Sequence, residues 1–314
     1  MKIVQWCDTA GKISGSKGAE RTTQALARGL QKLGHTVVLK ANEKSDWIET
    51  VSEIPKDFDV IHHQGWTAEH QSLYASFGIP WCSTIHGGGM ENDPFFLKTA
   101  ENNPNVICVS KFIADRLKIK TFAHAVSTPE DFIYKDKKSN YFLYLAGFDW
   151  GYNKGLDIFL SLSRIFKHYE FWIAGAGTHQ EFITHVKKIC EGQKNLKYVG
   201  EVNGIEKAEC FANAKAYILP TKLPDACPVT VSEALMSGTP VIASTNGAMP
   251  EIVPSEVGYT CNTLAEYTKA ITNIEKIKSQ TCRDFAMNNY SDISCAKRHL
   301  QIYENLIKTG TTHG

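Results

Sequence analysis

The chain has 314 residues, of which 43% are hydrophobic, and its 34 basic and 33 acidic side chains nearly cancel. This length is typical of two globular domains, and the apolar content excludes an intrinsically disordered chain. The balanced charge argues against a large basic face of the kind that binds nucleic acid, so nucleic acid is not an expected partner.

The nine cysteines are scattered along the chain and form no CxxC pair. Met1 and Lys2 lead into an apolar run that is too short for a signal peptide or a membrane span. We therefore expect a reduced, cytoplasmic protein, and peripheral contact with a membrane stays open.

The first part of the chain alternates between short apolar runs and helical patterns. A helix is predicted from Ala19 to Leu33, with Gly34 ending it. Apolar runs on both sides of it indicate strands, namely KIVQW, HTVVLK, DVIHHQ, WCSTIHG and VICVS. Strands that alternate with helices predict a parallel sheet covered on both faces.

A polar, charged stretch at residues 133–140 is the predicted linker, and the same alternation restarts after it. The later apolar runs are NYFLYLAG, EFWIAGAG, LKYVG, AYILP and PVIAS, and two helical stretches close the chain around 264–289 and 293–308. We predict two domains, at 1–135 and 139–292. Ligands of such sheets bind at the carboxyl ends of the strands, so two facing units place the binding crevice between the domains.

The stretch LPDACPVTVSEALMSG at residues 223–238 places one acid before a predicted helix and another inside it. Pro228 suits the first turn of a helix, and Gly238 suits its end. Asp225 then lies in the preceding loop and Glu233 about five residues into the helix, roughly 7–8 Å along its axis, with the free N–H groups between them. This layout suits a ligand with a diphosphate in its middle and hydroxyl groups on either side. A capped surface helix is the alternative interpretation.

This segment resembles the signature of the retaining GT-B glycosyltransferases, in which two glutamates are separated by seven residues. Asp225 stands where glutamate is usual, and the remaining matches are Pro228, Glu233, Ala234-Leu235, Gly238-Thr239-Pro240-Val241-Ile242-Ala243 and Gly247-Ala248-Met249-Pro250-Glu251-Ile252-Val253. The resemblance implies that Asp225 reaches hydroxyls of the donor sugar and that Glu233 holds the ribose. It also implies an α/β fold of the GT-B class, with two Rossmann-like, doubly wound domains across a cleft and a last segment, 293–314, that packs back on the first domain.

A second matching segment, FLYLAGFDWGYNKGLD at residues 142–157, resembles the family's Gly-Arg…Lys-Gly motif. Lys154-Gly155 matches its second half, and the resemblance implies that Lys154 holds the diphosphate. A lysine near a helix start is a suitable cation for a leaving diphosphate. Phe148 stands where the family has its arginine, which leaves one expected cation instead of two.

Two glycine-rich stretches follow strands in the first domain. GSKGAER, at residues 15–21, can bind phosphate on backbone N–H groups, and by resemblance Gly15 and Gly18 would face the donor phosphates. TIHGGG, at residues 84–89, places His86 where the family has a group that contacts the reacting sugar. A histidine with a purely structural role is the alternative.

From this resemblance we expect a retaining glycosyltransferase that moves a sugar from a UDP- or GDP-sugar to a hydroxyl of a glycan, lipid-linked or small-molecule acceptor. By resemblance the diphosphate leaves, held by Lys154 and by Pro228, Val229 and Thr230, and receives the acceptor proton on the same face. No cluster of His, Cys and Asp has the spacing of metal ligands, so no metal and no cofactor beyond the nucleotide-sugar co-substrate are expected.

Other functions stay open. The departures at Phe148 and Asp225 favour a non-catalytic subunit that binds sugars or nucleotides, and a GT-B-fold enzyme can also epimerise or phosphorolyse its substrate. The neutral charge argues against a glucosyltransferase that acts on DNA. A dehydrogenase is disfavoured because GSKGAER is not the GxGxxG pattern.

Overall fold

The structure is a computed structural model, and it shows two compact units. Unit 1 consists of Met1–Thr128, Ala226–Val229 and Asn288–Gly314, and unit 2 of Pro129–Asp225 and Thr230–Met287. The residues that the structure describes are 1–7, 18–41, 44–65, 73–87, 98, 100–101 and 103–313.

Unit 1 is built on a parallel sheet of six strands. The strand order is β3-β2-β1-β4-β5-β6, so the order reverses between β1 and β4. This is the strand order of dinucleotide-binding folds, in which ligands bind at the carboxyl ends of the strands beside the reversal. The strands are β1 (Lys2–Trp6), β2 (Thr36–Lys40), β3 (Glu49–Val51), β4 (Val60–His63), β5 (Trp81–Ile85) and β6 (Val106–Cys108).

Unit 2 repeats this topology with its own six parallel strands. The strand order is β12-β11-β10-β7-β8-β9, and it reverses between β7 and β10. Two doubly wound α/β units confirm the predicted fold class. The strands are β7 (Tyr141–Leu145), β8 (Glu170–Ala174), β9 (Leu196–Gly200), β10 (Ala216–Leu219), β11 (Val241–Ser244) and β12 (Gly258–Cys261).

The helices include the one on which the functional prediction depends. Residues from Val229 to Met236 form a helix, and Gly238 takes a positive φ of 71° after it, which confirms the helix predicted from Pro228 to Gly238. The described helices are α1 (Gly18–Lys32), α2 (Lys111–Leu117), α3 (Leu156–Ile165), α4 (Gln180–Glu191), α5 (Gly204–Asn213), α6 (Val229–Met236), α7 (Met249–Ile252), α8 (Leu264–Asn273), α9 (Ser279–Tyr290) and α10 (Asp292–Thr309).

Each unit has its own hydrophobic core. In unit 1 the core lies where Leu26 and Leu30 of α1 and Tyr303 of α10 pack with Ile3 and Val37 of the sheet. In unit 2 aromatic side chains carry much of the core, and the largest of them are Phe142, Tyr144, Phe148, Phe159, Phe171 and Tyr267. Burying several aromatic side chains stabilises a domain strongly, because each removes a large apolar area from water.

The stretch predicted as a linker, 133–140, belongs to unit 2. The ammonium group of Lys138 donates to the carbonyl oxygens of Ala212 and Ser237, both at 3.0 Å, and to Thr239 Oγ1 at 2.9 Å. Burial lowers the pKa of Lys138 to about 8. A charged stretch in a sequence usually indicates solvent exposure, but here one lysine donates to carbonyl groups at the C-terminal ends of α5 and α6, where a cation is favourable.

The last helix, α10, packs against α1 within unit 1. The buried carboxylate of Asp292 accepts a hydrogen bond from Lys32 Nζ at 2.7 Å. A Cβ atom on Gly29 would lie 2.2 Å from the carbonyl oxygen of Asp292, so only glycine permits this close approach. Ser291 caps the start of α10 by accepting a hydrogen bond from the N–H of Ser294, and Gly310 ends the helix with a positive φ.

Candidate functional site

The structure brings together Lys154 and Asp225, two of the predicted site residues. Lys154 ends the 3-10 helix that follows β7, and its ammonium group donates a hydrogen bond to Asp225 Oδ1. The two side chains are only 15% and 16% exposed. Gly155 makes this turn possible, because it has a positive φ of 80° and a Cβ atom there would lie 1.9 Å from the carbonyl oxygen of Pro220.

The loop that carries Asp225 is held from behind by the Gly-Ala-Met-Pro-Glu segment. The N–H of Ala248 donates to the carbonyl oxygen of Asp225 at 2.9 Å. A Cβ atom on Gly247 would lie 2.3 Å from that same oxygen, which explains why glycine is required at this position. The second carboxylate oxygen of Asp225, Oδ2, is buried and has no hydrogen-bond partner among the described residues. This oxygen can accept a hydrogen bond from a ligand hydroxyl.

Glu233, the second acid of the motif, lies in α6 and is 2% exposed. Its Oε1 atom is 2.9 Å from the ammonium group of Lys207 on α5. Lys207 is not predicted from the sequence as a site residue, because the pair joins residues that are 26 positions apart and a lysine on a polar helix usually faces solvent. A buried carboxylate is normally paired, and that is the one signal that could have prompted a search for its cation.

Thr230, in the first turn of α6, uses its hydroxyl group inside the protein. The hydroxyl of Tyr217 lies 2.9 Å from both the carbonyl oxygen of Leu145 and Thr230 Oγ1. Because a carbonyl oxygen only accepts, the Tyr217 hydroxyl donates its one proton to the carbonyl oxygen of Leu145. The Thr230 hydroxyl therefore donates to the Tyr217 oxygen. Thr230 is left with its backbone N–H as the group it can offer to an anion at the start of α6.

The remaining phosphate-binding candidates lie near the start of α6 or outside the described residues. A Cβ atom on Gly18 would lie 3.4 Å from Val229 Cγ2, so the first residue of α1 is adjacent to the first residue of α6. Pro228 immediately precedes α6 and is half-buried. Gly15 lies outside the residues that the structure describes.

Phe148, which stands where the family has an arginine, is a core residue of unit 2. Its side chain is 1% exposed and packs against the rings of Phe182 and Tyr198, with centroids 5.6 and 6.0 Å away. Its backbone N–H donates to the carbonyl oxygen of Ala176 at 2.9 Å. This position therefore supplies packing rather than charge.

His86 follows β5 and is half-buried in unit 1. Its Nε2 atom lies 2.9 Å from the amide oxygen of Gln64. Of the two histidines at the end of β4, His62 is bonded to Tyr303 and Thr84, and His63 is bonded to Tyr74. Both are fully buried, so both have structural roles in this structure.

Burial lowers the pKa of four described histidines in unit 1, and the effect is large for three of them, His62, His86 and His299. The pKa values of His86 and His299 fall to about 4, and the pKa of His62 lies well below its usual value. The positive charges of neighbouring groups add to this effect, His63 and His299 acting on His86 and Arg298 on His299. The unfolded chain therefore takes up protons near pH 6.5, whereas the folded protein resists protonation until about pH 4. Stability is full above pH 6.5 and falls as the pH drops through this window.

We expect His86 and His299 each to cost about 2 kcal/mol of unfolding free energy at pH 5 relative to pH 7. His299→Gln should therefore reduce the difference between the two pH values by about this amount in urea unfolding experiments. His168→Gln, which replaces an exposed histidine, is the control and should leave the difference unchanged. A His299→Gln variant with the pH dependence of the wild type would contradict the assignment.

A family model described as "Glycosyl transferases group 1" matches residues 129–292, which is more than half of the chain. The chain belongs to this family. The matched region contains both acids of the motif, Lys154 and Lys207.

The similarity extends to individual proteins. The chain is 22% identical over 285 residues to the phosphatidylinositol N-acetylglucosaminyltransferase gpi3 subunit of Schizosaccharomyces pombe, a match that covers 81% of this chain. The chain spans only 46% and 62% of the length of two curated relatives that it matches, the second being the gpi3 subunit.

Solved structures share the fold at low identity. Sucrose-phosphate synthase from Thermosynechococcus elongatus superimposes with a TM-score of 0.76 at 17% identity, over 98% of this chain and 100% of the other. Anabaena HepE, solved in complex with UDP-glucose, superimposes with a TM-score of 0.73 at 13% identity, again over 98% and 100%. No helix in the described part of the chain combines the length and apolar character needed to span a bilayer.

Proposed function

We propose that the protein is a retaining glycosyltransferase that uses a nucleotide-sugar donor. The observation that carries the proposal is the arrangement around α6, where a lysine-paired acid precedes the helix and a second lysine-paired acid lies inside it. The pairs are Lys154 with Asp225 and Lys207 with Glu233. A donor of this class has a diphosphate flanked by two hydroxyl-bearing sugars. The helix start and Lys154 suit the diphosphate, and the two carboxylates suit the hydroxyl groups on either side of it.

Each part of the donor has a proposed contact. The diphosphate binds at the start of α6, where Val229 and Thr230 supply backbone N–H groups after Pro228, which has none, and at the ammonium group of Lys154. The helix start favours an anion there. The partnerless Oδ2 atom of Asp225 accepts a hydrogen bond from a hydroxyl of the transferred sugar. Glu233 holds the ribose hydroxyls, with Lys207 fixing its carboxylate from the other side.

The proposed reaction breaks the bond between the anomeric carbon and the diphosphate oxygen and forms a bond from that carbon to the acceptor oxygen. The departing diphosphate takes both electrons of the broken bond and then receives the proton of the acceptor hydroxyl on the same face. Lys154 and the helix start stabilise the charge that develops on the leaving group. Glycoside hydrolysis needs two carboxyl groups facing each other across one bond, whereas Asp225 and Glu233 each pair with a separate lysine.

A uridine diphosphate sugar is the donor that the comparisons favour, because structures of Anabaena HepE contain UDP, glucose or UDP-glucose. A guanosine diphosphate sugar remains the alternative for this chain. The acceptor is a hydroxyl of a glycan, a lipid-linked sugar or a small molecule. The positive charge that stabilises the anionic leaving group comes from protein groups in this proposal, so the reaction needs no metal ion. We also propose that the enzyme acts in the cytoplasm.

The experiment that tests the site compares Glu233→Gln with the wild type in a thermal-shift titration with UDP, GDP, ADP and CMP. A bound nucleotide raises stability by mass action, so the titration yields Kd. We expect one of the diphosphates to stabilise the wild type, and Glu233→Gln to weaken its binding by about tenfold or more, because a buried hydrogen bond to a charged group is lost.

The matched control for this titration is Glu275→Gln, which also removes a lysine-paired carboxylate, that of the pair with Lys215, but on the exposed surface. It should bind the nucleotide as the wild type does. Equal affinity in Glu233→Gln and the wild type would contradict the ribose role of Glu233.

A non-catalytic subunit is the second candidate, and the burial of Phe148 favours it, because the family's second cation is missing at that position. Nucleotide binding without any release of sugar from UDP- or GDP-sugars would support this candidate. Turnover of either donor would exclude it.

A further inference from the structure

A continuous chain of hydrogen bonds runs through the interior of unit 1 and ends at His86. Its buried members come from β1, β4, β5 and α10, and none of them is more than 3% exposed. They are Gln5, His62, Gln64, Thr84 and Tyr303. Most buried polar groups in a Rossmann-like unit are backbone groups, so five buried polar side chains in one network need an explanation.

Donors and acceptors follow one another in a fixed order along this chain of hydrogen bonds. His86 Nε2 lies 2.9 Å from Gln64 Oε1, and the amide nitrogen of Gln64 donates to Gln5 Oε1 at 3.2 Å. The amide nitrogen of Gln5 in turn donates to the hydroxyl of Tyr303 at 3.0 Å. In each amide the oxygen accepts from one neighbour and the nitrogen donates to the other. Exchanging the oxygen and nitrogen of one amide alone would therefore place two donors or two acceptors face to face.

The far end of the chain obeys the same direction. The hydroxyl of Tyr303 accepts from Gln5, which leaves its proton for His62 Nδ1 at 2.6 Å. His62 must then carry its own proton on Nε2, where Thr84 Oγ1 accepts it at 2.7 Å. The amide nitrogen of Gln64 also lies 3.3 and 3.4 Å from the two ring nitrogens of His62, which places it over the ring.

We propose that this chain of hydrogen bonds holds His86 in the tautomer with its proton on Nε2, so that Nδ1 is a hydrogen-bond acceptor for a sugar hydroxyl. Gln64 is the positioning residue, and the direction of its amide is coupled through hydrogen bonds to those of Gln5 and Tyr303. Nδ1 is not among the fully buried atoms, and no described residue bonds to it. The contact between Nδ1 and a sugar hydroxyl rests on the proposed function, whereas the assignment of the tautomer does not.

The electrostatic surroundings keep His86 neutral, as an acceptor at Nδ1 requires. The groups that act on it are His63 at the end of β4 and His299 on α10, with burial as the larger effect. His299 donates its Nδ1–H to the carbonyl oxygen of Cys295 at 2.9 Å and stacks on His62 with ring centroids 5.4 Å apart. A positive charge on any of these rings would oppose a positive charge on the others.

The tautomer is measured directly by ¹⁵N NMR of the histidine rings in the full chain at pH 7, without any substrate. We expect His86 and His62 to carry the proton on Nε2 and His299 to carry it on Nδ1. A proton on Nδ1 of His86 would overturn the proposal, whatever any variant shows.

Tyr303→Phe tests whether the chain of hydrogen bonds determines the tautomer of His86. Without the tyrosine hydroxyl, Gln5 and Gln64 can turn together, so His86 should become a mixture of both tautomers. Tyr141→Phe is the matched control, because it also removes a buried hydroxyl, one that donates to the carbonyl oxygen of Cys210 in unit 2 at 2.7 Å. It should leave the His86 tautomer and kcat unchanged. An unchanged His86 tautomer in Tyr303→Phe would overturn the proposal that the chain of hydrogen bonds sets it.

Gln64→Met tests the function of the tautomer, and we expect kcat to fall about tenfold at pH 7. Transfer to the acceptor and hydrolysis of the donor without acceptor are measured separately. A loss in both reactions assigns the hydroxyl to the donor sugar, and a loss in transfer alone assigns it to the acceptor. Wild-type rates in both would overturn the acceptor role of Nδ1. If the wild type shows no turnover at all, the proposed function fails, and the NMR measurement still decides the tautomer.

Discussion

Replacing Lys154 with methionine is expected to lower kcat by about a hundredfold while the protein stays folded. In the proposed reaction this ammonium group faces the charge that builds up on the departing diphosphate, and removing one such group typically costs two to three powers of ten in rate, or about 3 kcal/mol. Methionine keeps the length and apolar character of the side chain, so the change removes the charge alone. Steady-state transfer kinetics with the donor identified by the thermal-shift titration provide the measurement.

The matched control is Lys222→Met, which removes a lysine paired with Asp157 at 2.7 Å and about half exposed. This variant should keep the wild-type kcat. Lys154→Arg should retain more activity than Lys154→Met, because the positive charge is kept. A Lys154→Met enzyme with wild-type kcat would remove Lys154 from the leaving-group site.

Phe148→Arg restores the residue that the family has at this position, and we expect it to destabilise unit 2 by at least about 3 kcal/mol. The Phe148 side chain is buried between Phe182 and Tyr198, where an arginine would be a buried, unpaired charge. The loss of aromatic packing adds to this cost. Urea unfolding at pH 7 measures the change.

Trp150→Arg is the control for this variant, because Trp150 lies on the same 3-10 helix and is 48% exposed. It should change the unfolding free energy by less than about 1 kcal/mol. A Phe148→Arg protein that is as stable as the wild type and turns over donor faster would show that position 148 faces the ligand after all.

The fold was predictable because its signals are local. Short apolar runs separated by helical patterns require a covered parallel sheet, and Pro228 and Gly238 mark the helix on which the motif depends. The side chains that meet at this helix were also predictable in part, since the pairing of Lys154 with Asp225 joins two segments that the family resemblance had already marked.

The missing information concerns contacts between distant segments. The sequence contains Lys207 but gives no sign that it reaches Glu233, because the position of a lysine depends on the packing of α5 against α6. Phe148 stood out as a departure, yet only the packed structure shows that it became part of a core. The chain from Tyr303 to His86 joins residues more than 200 positions apart, and no local pattern encodes such a network.

The ion pair between Lys154 and Asp225 has a consequence for the end of the catalytic cycle. Asp225 Oδ1 accepts a hydrogen bond from the ammonium group of Lys154, the group that also binds a phosphate oxygen in the proposed donor complex. An intact donor also offers a sugar hydroxyl to the other oxygen of Asp225, Oδ2, whereas the nucleoside diphosphate left after transfer offers it no such group. We therefore expect the carboxylate to compete with the spent nucleotide for the lysine, so that the enzyme expels its product more readily than its donor and resists product inhibition.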